Sequence, residues 1–401
     1  MTRATAHGTA GRAGGGIRPG ARGLCNRLGP YELIRPLARG GMADLHLARR
    51  GAEPPVALKI LDEARCREPD ARAMFRDEAA LVAVLDHPHI AAARELAELD
   101  GRAVLALEYV HGADLREILA TAQHAGVRVP LETAISIVCA AAAGLDHAHR
   151  RCDAAGAPLR VVHRDVSLSN IMVGHDGAVK VIDFGIASSA LASVTGLPGV
   201  VRGKASYMSP EQCLGEPVDH RADVFGLGVV LYELTLGARC FPGKNDFERM
   251  LAVVKHQYVA PHVLAADYPA ALAEVIATAL ARDPGRRFAS AAAMIEALER
   301  VAVAQGWVGG AHAIARLMHS LFGAVPAPCA SPPDDAAVTE PHAWPPPALA
   351  ERRLARGTEV GAAARRTGDF ADDLDDRTHG RGARRRLSRP RFPIAPPANC
   401  A

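Results

Sequence analysis

The chain has 401 residues, 49% of them hydrophobic and 23% charged, with 47 basic against 44 acidic side chains. This is a globular composition on a chain longer than one hydrophobic core usually fills, so two lobes with added segments are expected, and a fibrous or wholly unstructured chain is excluded. No uncharged apolar run reaches about 18 residues, which argues against a membrane span, and the opening MTRATAHGTAGRAGGG holds no apolar stretch of the secretory kind.

The eight cysteines form no CxxC pair and no zinc spacing. The 17 histidines, His87/His89 and His147/His149 among them, lack a Cys or carboxylate partner at metal-site spacing. Free thiols in a reducing, cytoplasmic compartment and no metal cluster are the expectation. Lysine is scarce: Lys59, Lys180, Lys204, Lys244 and Lys255 stand against 42 arginines. Each lysine therefore invites a reason.

Residues 1–29 carry five arginines, no acid and no apolar periodicity, and read as a disordered basic tail. Short apolar runs over 31–61 and 92–110, broken by Gly, Pro and charges, read as strands, with a helix over 70–85 between them. From about 131 helical patterns dominate, interrupted by strand-like pieces at 171–173 and 179–183. The apolar run from Thr133 to Leu145 reads as a core helix. The prediction is a small sheet-rich lobe over about 30–110, a larger helical lobe over about 111–302 and a helical extension over 303–324. Eight prolines in 325–350 mark a linker, and 325–401 reads as a Pro/Arg-rich disordered tail. An acidic body thus lies between basic tails, with 30 basic against 37 acidic residues over 30–350. The tails are either simply solvated or make weak electrostatic contact with nucleic acid, a membrane or an acidic partner.

Four stretches carry candidate chemistry. In Leu37-Ala-Arg-Gly-Gly-Met-Ala-Asp-Leu45, Gly40 and Gly41 let backbone approach a ligand with no Cβ in the way, although a Gly-Gly turn also makes an ordinary hairpin. Val56-Ala-Leu-Lys-Ile-Leu61 places Lys59 in an apolar strand, where an ammonium loses hydration and needs a partner. On the 70–85 helix, Met74, Phe75, Leu81, Val82 and Leu85 form a stripe with Glu78 at its centre. A carboxylate there faces the interior unless it snorkels at a lobe edge, and Lys59 shares its predicament. The fourth stretch is Val162-His-Arg-Asp-Val-Ser-Leu-Ser-Asn170, followed thirteen residues on by Asp183-Phe-Gly185.

HRDxxxxN followed by DFG resembles the catalytic loop and metal-binding turn of the eukaryotic-like, or Hanks-type, serine/threonine protein kinases. The Arg/Ala/Gly-rich composition suggests a bacterial member. The likeness covers about residues 30–300 with motif order intact. It implies an α+β, bilobal protein-kinase-like fold: a small β-rich N-lobe with the family's helix αC, and a larger helical C-lobe. It implies that residues 37–45 cover the phosphates of ATP and that Lys59 holds the α and β phosphates, steadied by Glu78. Asp183 and Asn170 would ligate Mg2+, and Asp165 would accept the proton of a protein hydroxyl. Leu37, Leu45 and Ala57 would roof the adenine, with Met172 as its floor. The backbone of Glu108 and Val110 would read the adenine edge, with Leu107 behind it, and Asp114 would hold the ribose. Ser209-Pro-Glu211 replaces the family's Ala-Pro-Glu, Asp223 matches a buried helix aspartate, and Arg287 matches the arginine that pairs with that Glu. His163, Phe184 and Val82 read as packing residues.

The chain departs from the family in places. Ala38 and Ala43 replace two loop glycines. Ser167 stands where the family carries a lysine that touches the γ-phosphate, and Lys204 stands where it carries a threonine. In the family those two side chains meet, so Lys204 is expected to return the missing cation from the other side as a catalytic residue. The alternative is a solvent-facing Lys204 and a weakened catalyst. Arg164 beside Asp165 invites an anion, with Thr195 or Ser193 as the favoured autophosphorylation site. The resulting expectation is an ATP- and Mg2+-dependent serine/threonine protein kinase acting on protein substrates that the sequence does not name. The alternative is a pseudokinase, an ATP-binding scaffold with little catalysis, for which Ser167 and the two alanines speak. A small-molecule phosphotransferase is disfavoured by the Ser-Pro-Glu element and Arg287.

Overall fold

The computed structural model describes residues 27–153, 155–184 and 205–328. Strands β1 (Arg27–Leu28), β2 (Tyr31–Arg39), β3 (Ala43–Arg50), β4 (Val56–Leu61), β5 (Ala93–Leu99) and β6 (Arg102–Glu108) form one antiparallel sheet in the order β1-β2-β3-β4-β6-β5. Helices α1 (Glu63–Cys66) and α2 (Pro69–Ala83) lie between β4 and β5 in the chain. Arg27 and Leu28 pair with Glu32 and Tyr31, so the described sheet includes residues ahead of position 30.

Successive side chains of a strand point to opposite faces. Leu58 and Ile60 therefore join Leu28, Tyr31, Ala48, Val104 and Ala106 in a cluster on one face. Leu61 joins Leu105 and, from α2, Phe75 and Ala79 on the other. Lys59 has the parity of Leu61, so β4 itself aims the ammonium towards α2. The registers set Leu45 and Leu105 beside Lys59, and Leu47 and Leu107 beside Ala57. The side chains expected around a nucleotide thus share the sheet face that carries Lys59.

The large lobe comprises β7 (Gly112–Asp114), α3 (Leu115–His124), α4 (Leu131–His149), β8 (Ile171–Gly174), β9 (Val179–Val181), α5 (Pro210–Leu214), α6 (Arg221–Leu236), α7 (Asp246–Val254), α8 (Pro261–Leu264), α9 (Ala270–Ala279), α10 (Ala291–Gln305) and α11 (Ala311–Phe322), with β7, β8 and β9 as a small antiparallel sheet. Helices α4 and α6 are buried along most of their length. A helix apolar on nearly every face has to be enclosed by others. Among the described residues α4 alone is long and apolar enough to cross a membrane by length and composition; here α6, α10 and α11 enclose it. Helix α10 runs through the expected boundary at 302 to Gln305.

Helix α11 is docked, with Ala313, Ile314, Leu317 and Met318 buried. Ser136 on α4 accepts the Gly310 N–H at 2.9 Å and donates to the Glu132 carbonyl at 2.7 Å. In the β8–β9 turn Gly177 (φ +87°) approaches α11 so closely that a Cβ would sit 2.0 Å from the Ala311 carbonyl oxygen. Only glycine permits both the turn and the approach.

Two buried carboxylates tie the large lobe together. Arg287 donates to both oxygens of Glu211 at 2.7 Å and to the carbonyls of Arg221, Ala281 and Arg282. Glu233 accepts from Tyr207 Oη at 2.5 Å and from the Cys240 N–H at 3.1 Å. Burial pushes the Glu233 carboxyl up from 4.5 to about 6, against the lowering effect of those two bonds. A carboxyl raised on folding contributes stability that is complete below pH 4.5 and is lost as pH rises through about 6. The loss amounts to about 2 kcal/mol. Relative to the parent, Glu233→Gln should therefore gain about that much between pH 4.5 and 7. Denaturant unfolding at the two pH values measures it, and a pH-independent difference would contradict the assignment.

Candidate active site

The site lies where the sheet face bearing Lys59 meets the loop before β8. Lys59 Nζ lies 2.5 Å from Glu78 Oε1 and 3.8 Å from Asp183 Oδ1. Glu78 is buried in the apolar stripe of α2 as the helical spacing predicts. Burial works against the ammonium, but the charges of Glu78 and then Asp183 outweigh it and hold Lys59 above its ordinary range. The amine is thus a fixed cation, suited to phosphate and unsuited to proton transfer.

The loop from His163 to Asn170 is held from below by α6. Asp223 accepts the N–H groups of His163 and Arg164, both at 2.8 Å, and hydrogen-bonds His149 Nε2 at 2.7 Å. Burial would raise this carboxyl, yet the His149 bond and the neighbouring imidazoles outweigh it and keep Asp223 below the usual range. Arg164 (φ 66°) and Asp183 (φ 60°) both sit in the left-handed region. Such backbone costs about 1–3 kcal/mol per residue and persists only where surrounding bonds dictate it. The Asp223 grip supplies those bonds for Arg164. For the turn at Asp183, His163 hydrogen-bonds the Ile182 carbonyl at 2.9 Å and packs against the Phe184 ring at 4.6 Å. His163 and Phe184 are thus the packing residues expected.

Asn170 Nδ2 donates to the Asp165 carboxylate at 2.8 Å and to its carbonyl at 2.9 Å. This fixes the Asp165 side chain. It also turns the Asn170 amide oxygen away from Asp165. That oxygen and the half-exposed Asp183 carboxylate form a hard donor set with no sulfur or imidazole, which fits a divalent cation that keeps further oxygens from water and phosphate. Among the described residues no group of three His, Cys, Asp or Glu forms a closed metal cage.

Two of the residues expected around the nucleotide lie side by side. Asp114 and Met172 are register partners across β7 and β8, which puts the expected ribose residue beside the expected floor. Asp114 also caps α3, accepting from Glu117 N–H at 2.8 Å. The Glu108 N–H is engaged by the Ala92 carbonyl at 2.8 Å, so of its two backbone groups the carbonyl is the one suited to an adenine edge. Val110 follows in the connection to β7. Leu37 lies in β2, and Gly40 closes the β2–β3 hairpin with its N–H on the Ala43 carbonyl at 3.1 Å. A Cβ on Gly40 would approach that oxygen to 2.7 Å, whereas Gly41 has nothing within 4 Å. The pair is both an ordinary hairpin turn and an open stretch of backbone.

Some positions were not foreseen. Lys180 pairs with Glu108 at 2.8 Å, which accounts for a second of the scarce lysines and anchors β9 beneath the connection between lobes. Gln212 donates to the Arg164 carbonyl at 2.8 Å. His149 joins the Asp223 network. Ser167 is buried, its hydroxyl 3.4 Å from Ser169 Oγ. Lys204, Gly185, Ser193 and Thr195 lie outside the described residues.

The sequence pattern of the protein kinase domain matches residues 31–298. Over 280 residues the chain is 41% identical to the tyrosine-protein kinase MasK of Myxococcus xanthus, and over 278 residues 37% identical to the serine/threonine-protein kinase PknB of Mycobacterium leprae. These matches cover 69% and 68% of the chain but 43% of each relative, so the chain spans less than half the length of either. The crystal structure of the Mycobacterium tuberculosis PknI kinase domain superposes with a TM-score of 0.52 at 28% identity, covering 69% of this chain and 97% of that one. With the lysine–glutamate pair, the aspartate-bearing loop and the clamp beneath it all falling inside the matched span, the chain belongs to the protein kinase family.

Proposed function

We infer that this chain is a serine/threonine protein kinase that transfers the γ-phosphoryl group of magnesium-ATP to protein hydroxyls. The observation that carries the reading is the pairing of Lys59 with Glu78, with Asp183 alongside. That geometry costs burial of the Lys59 and Glu78 charges beside a half-exposed carboxylate, a cost that a fold that only scaffolds has no need to bear. Lys59 supplies a fixed positive charge for the α and β phosphates. Asp165, oriented by Asn170, takes the proton of the incoming hydroxyl. Asp183 and Asn170 would hold magnesium, which when bound would supply positive charge against the phosphates. Phosphoryl transfer needs positioning and charge more than covalent chemistry.

Lys204 belongs to the same reading as the cation that replaces the one absent at Ser167. The scarcity of lysine in the chain supports this, as does the small neutral hydroxyl at 167.

The test is incubation of the full chain with labelled ATP, magnesium and casein, followed by acid hydrolysis. Phosphoserine and phosphothreonine are expected. Dominant phosphotyrosine would overturn the serine/threonine assignment, and no transfer at all would overturn the enzymatic one. In the same assay Lys204→Met should lose most transfer while binding nucleotide, and full activity would remove Lys204 from the site.

A further inference from the structure

The short helix α5 joins the Ser-Pro-Glu element to the loop that carries Asp165. Ser209 caps this helix, is fully buried, and forms a capping box with Gln212. Gln212 Oε1 accepts the Ser209 N–H at 3.0 Å and the Ser209 hydroxyl at 3.1 Å. The oxygen end of the amide is thus held by two donors from one residue. The nitrogen end, Nε2, donates to the Arg164 carbonyl at 2.8 Å. A flipped amide would set donor against the Ser209 N–H and oxygen against a carbonyl oxygen, so the partners dictate one orientation.

The Arg164 carbonyl belongs to the peptide that joins Arg164 to Asp165. The N–H of that same peptide, carried by Asp165, reaches His163 Nδ1 at 3.2 Å. A peptide is planar and turns as one piece, so holding its carbonyl fixes the direction in which the chain enters Asp165. The grip matters at this place because Arg164 is left-handed, with φ 66°, a conformation that relaxes unless neighbouring bonds enforce it. Asp223 holds the N–H of Arg164, and Gln212 holds its C=O.

We propose that Gln212, steadied by Ser209, is a positioning residue for phosphoryl transfer: it holds the Arg164–Asp165 peptide so that the Asp165 carboxylate meets the incoming hydroxyl. This rests on the phosphotransferase reading above. Asn170 fixes the Asp165 side chain, and Gln212 fixes the backbone from which that side chain springs. The proposal also gives a purpose to Ser209 in place of the family's alanine, which has no hydroxyl to share in holding the amide. Gln212 acts on the base alone. Lys59 and Glu78 stand on β4 and α2, so nucleotide affinity is untouched.

The experiment compares the full chain with Gln212→Glu, which keeps the shape and the oxygen facing Ser209 but replaces the donor by an acceptor, and with Ser209→Ala. Transfer to casein at saturating ATP should fall about tenfold to a hundredfold in Gln212→Glu near neutral pH. In Ser209→Ala, where the N–H bond to the amide remains, the fall should be about two- to fivefold. KM for ATP and fluorescent-nucleotide affinity should stay at the parental values in both, which also shows that both fold. Burial against a carbonyl oxygen raises the introduced carboxyl. Once protonated it donates to Arg164, so the deficit of Gln212→Glu relative to the parent should narrow as pH falls towards about 5.5. Parental transfer in Gln212→Glu, a deficit equal at every pH, or loss of nucleotide binding in step with transfer overturns the proposal. Hydrogen exchange over 163–168 reads the loop without any activity and should be faster in Gln212→Glu than in the parent. A parent that transfers nothing would sink the kinase reading, whereas unchanged exchange would sink this proposal by itself.

Discussion

An Asp165→Asn chain is expected to melt and bind nucleotide as its parent does, and to transfer phosphoryl groups about 10²–10⁴ times more slowly. The Asp165 side chain is held by Asn170, and an asparagine oxygen accepts that same hydrogen bond. Shape and position survive; the capacity to take a proton does not. Single-turnover transfer measured beside fluorescent-nucleotide binding separates the two. Equal loss of binding and transfer would mean that Asp165 serves the architecture of the loop, and undiminished transfer would place the base elsewhere.

The second large effect is on stability. Arg287→Ala should cost about 3–5 kcal/mol, because it leaves Glu211 charged, buried and unpaired. In a domain of this size that is a fall in melting temperature of roughly 10 °C. Both partners are almost fully enclosed, so solvent screening gives little relief. Replacing both, with Glu211→Leu and Arg287→Met, should recover much of the loss, since no orphan charge remains. Thermal melts of the three variants decide the matter: a double variant as unstable as the single would show that the guanidinium's bonds to the Arg221, Ala281 and Arg282 carbonyls matter more than the ion pair. The single variant should also slow transfer, because Glu211 and Gln212 share α5 and Gln212 bonds the backbone of Arg164.

How far the amino-acid sequence foretold this arrangement depends on the range of each interaction. The parity of a six-residue strand aims Lys59, and the spacing of one helix buries Glu78; both are local rules, so both were legible, and the partnership followed from shared need. Asp165 and Asn170 were both singled out, for separate roles in proton and metal handling, but the hydrogen bond between them was not foreseen. The other contacts that escaped notice join distant stretches. Lys180 finds Glu108 across 72 residues, His149 finds Asp223 across 74, and Ser136 finds Gly310 across 174. Nothing periodic in the chain marks such pairs, because the path of the whole backbone decides them. The scarcity of lysine singled out Lys180 without naming its partner. The lobe boundaries were placed by composition, which cannot see that Arg27 and Leu28 pair with β2 or that α10 continues to Gln305.

The docking of α11 bears on anyone who shortens this protein. The kinase pattern ends at residue 298, yet Ile314, Leu317 and Met318 fill a seam along α4, and Gly177 is shaped to receive the first turn of that helix. A recombinant fragment trimmed at the pattern's edge would carry an open oily scar down one flank and would be prone to clump. The smallest well-behaved catalytic piece extends to at least Gly323.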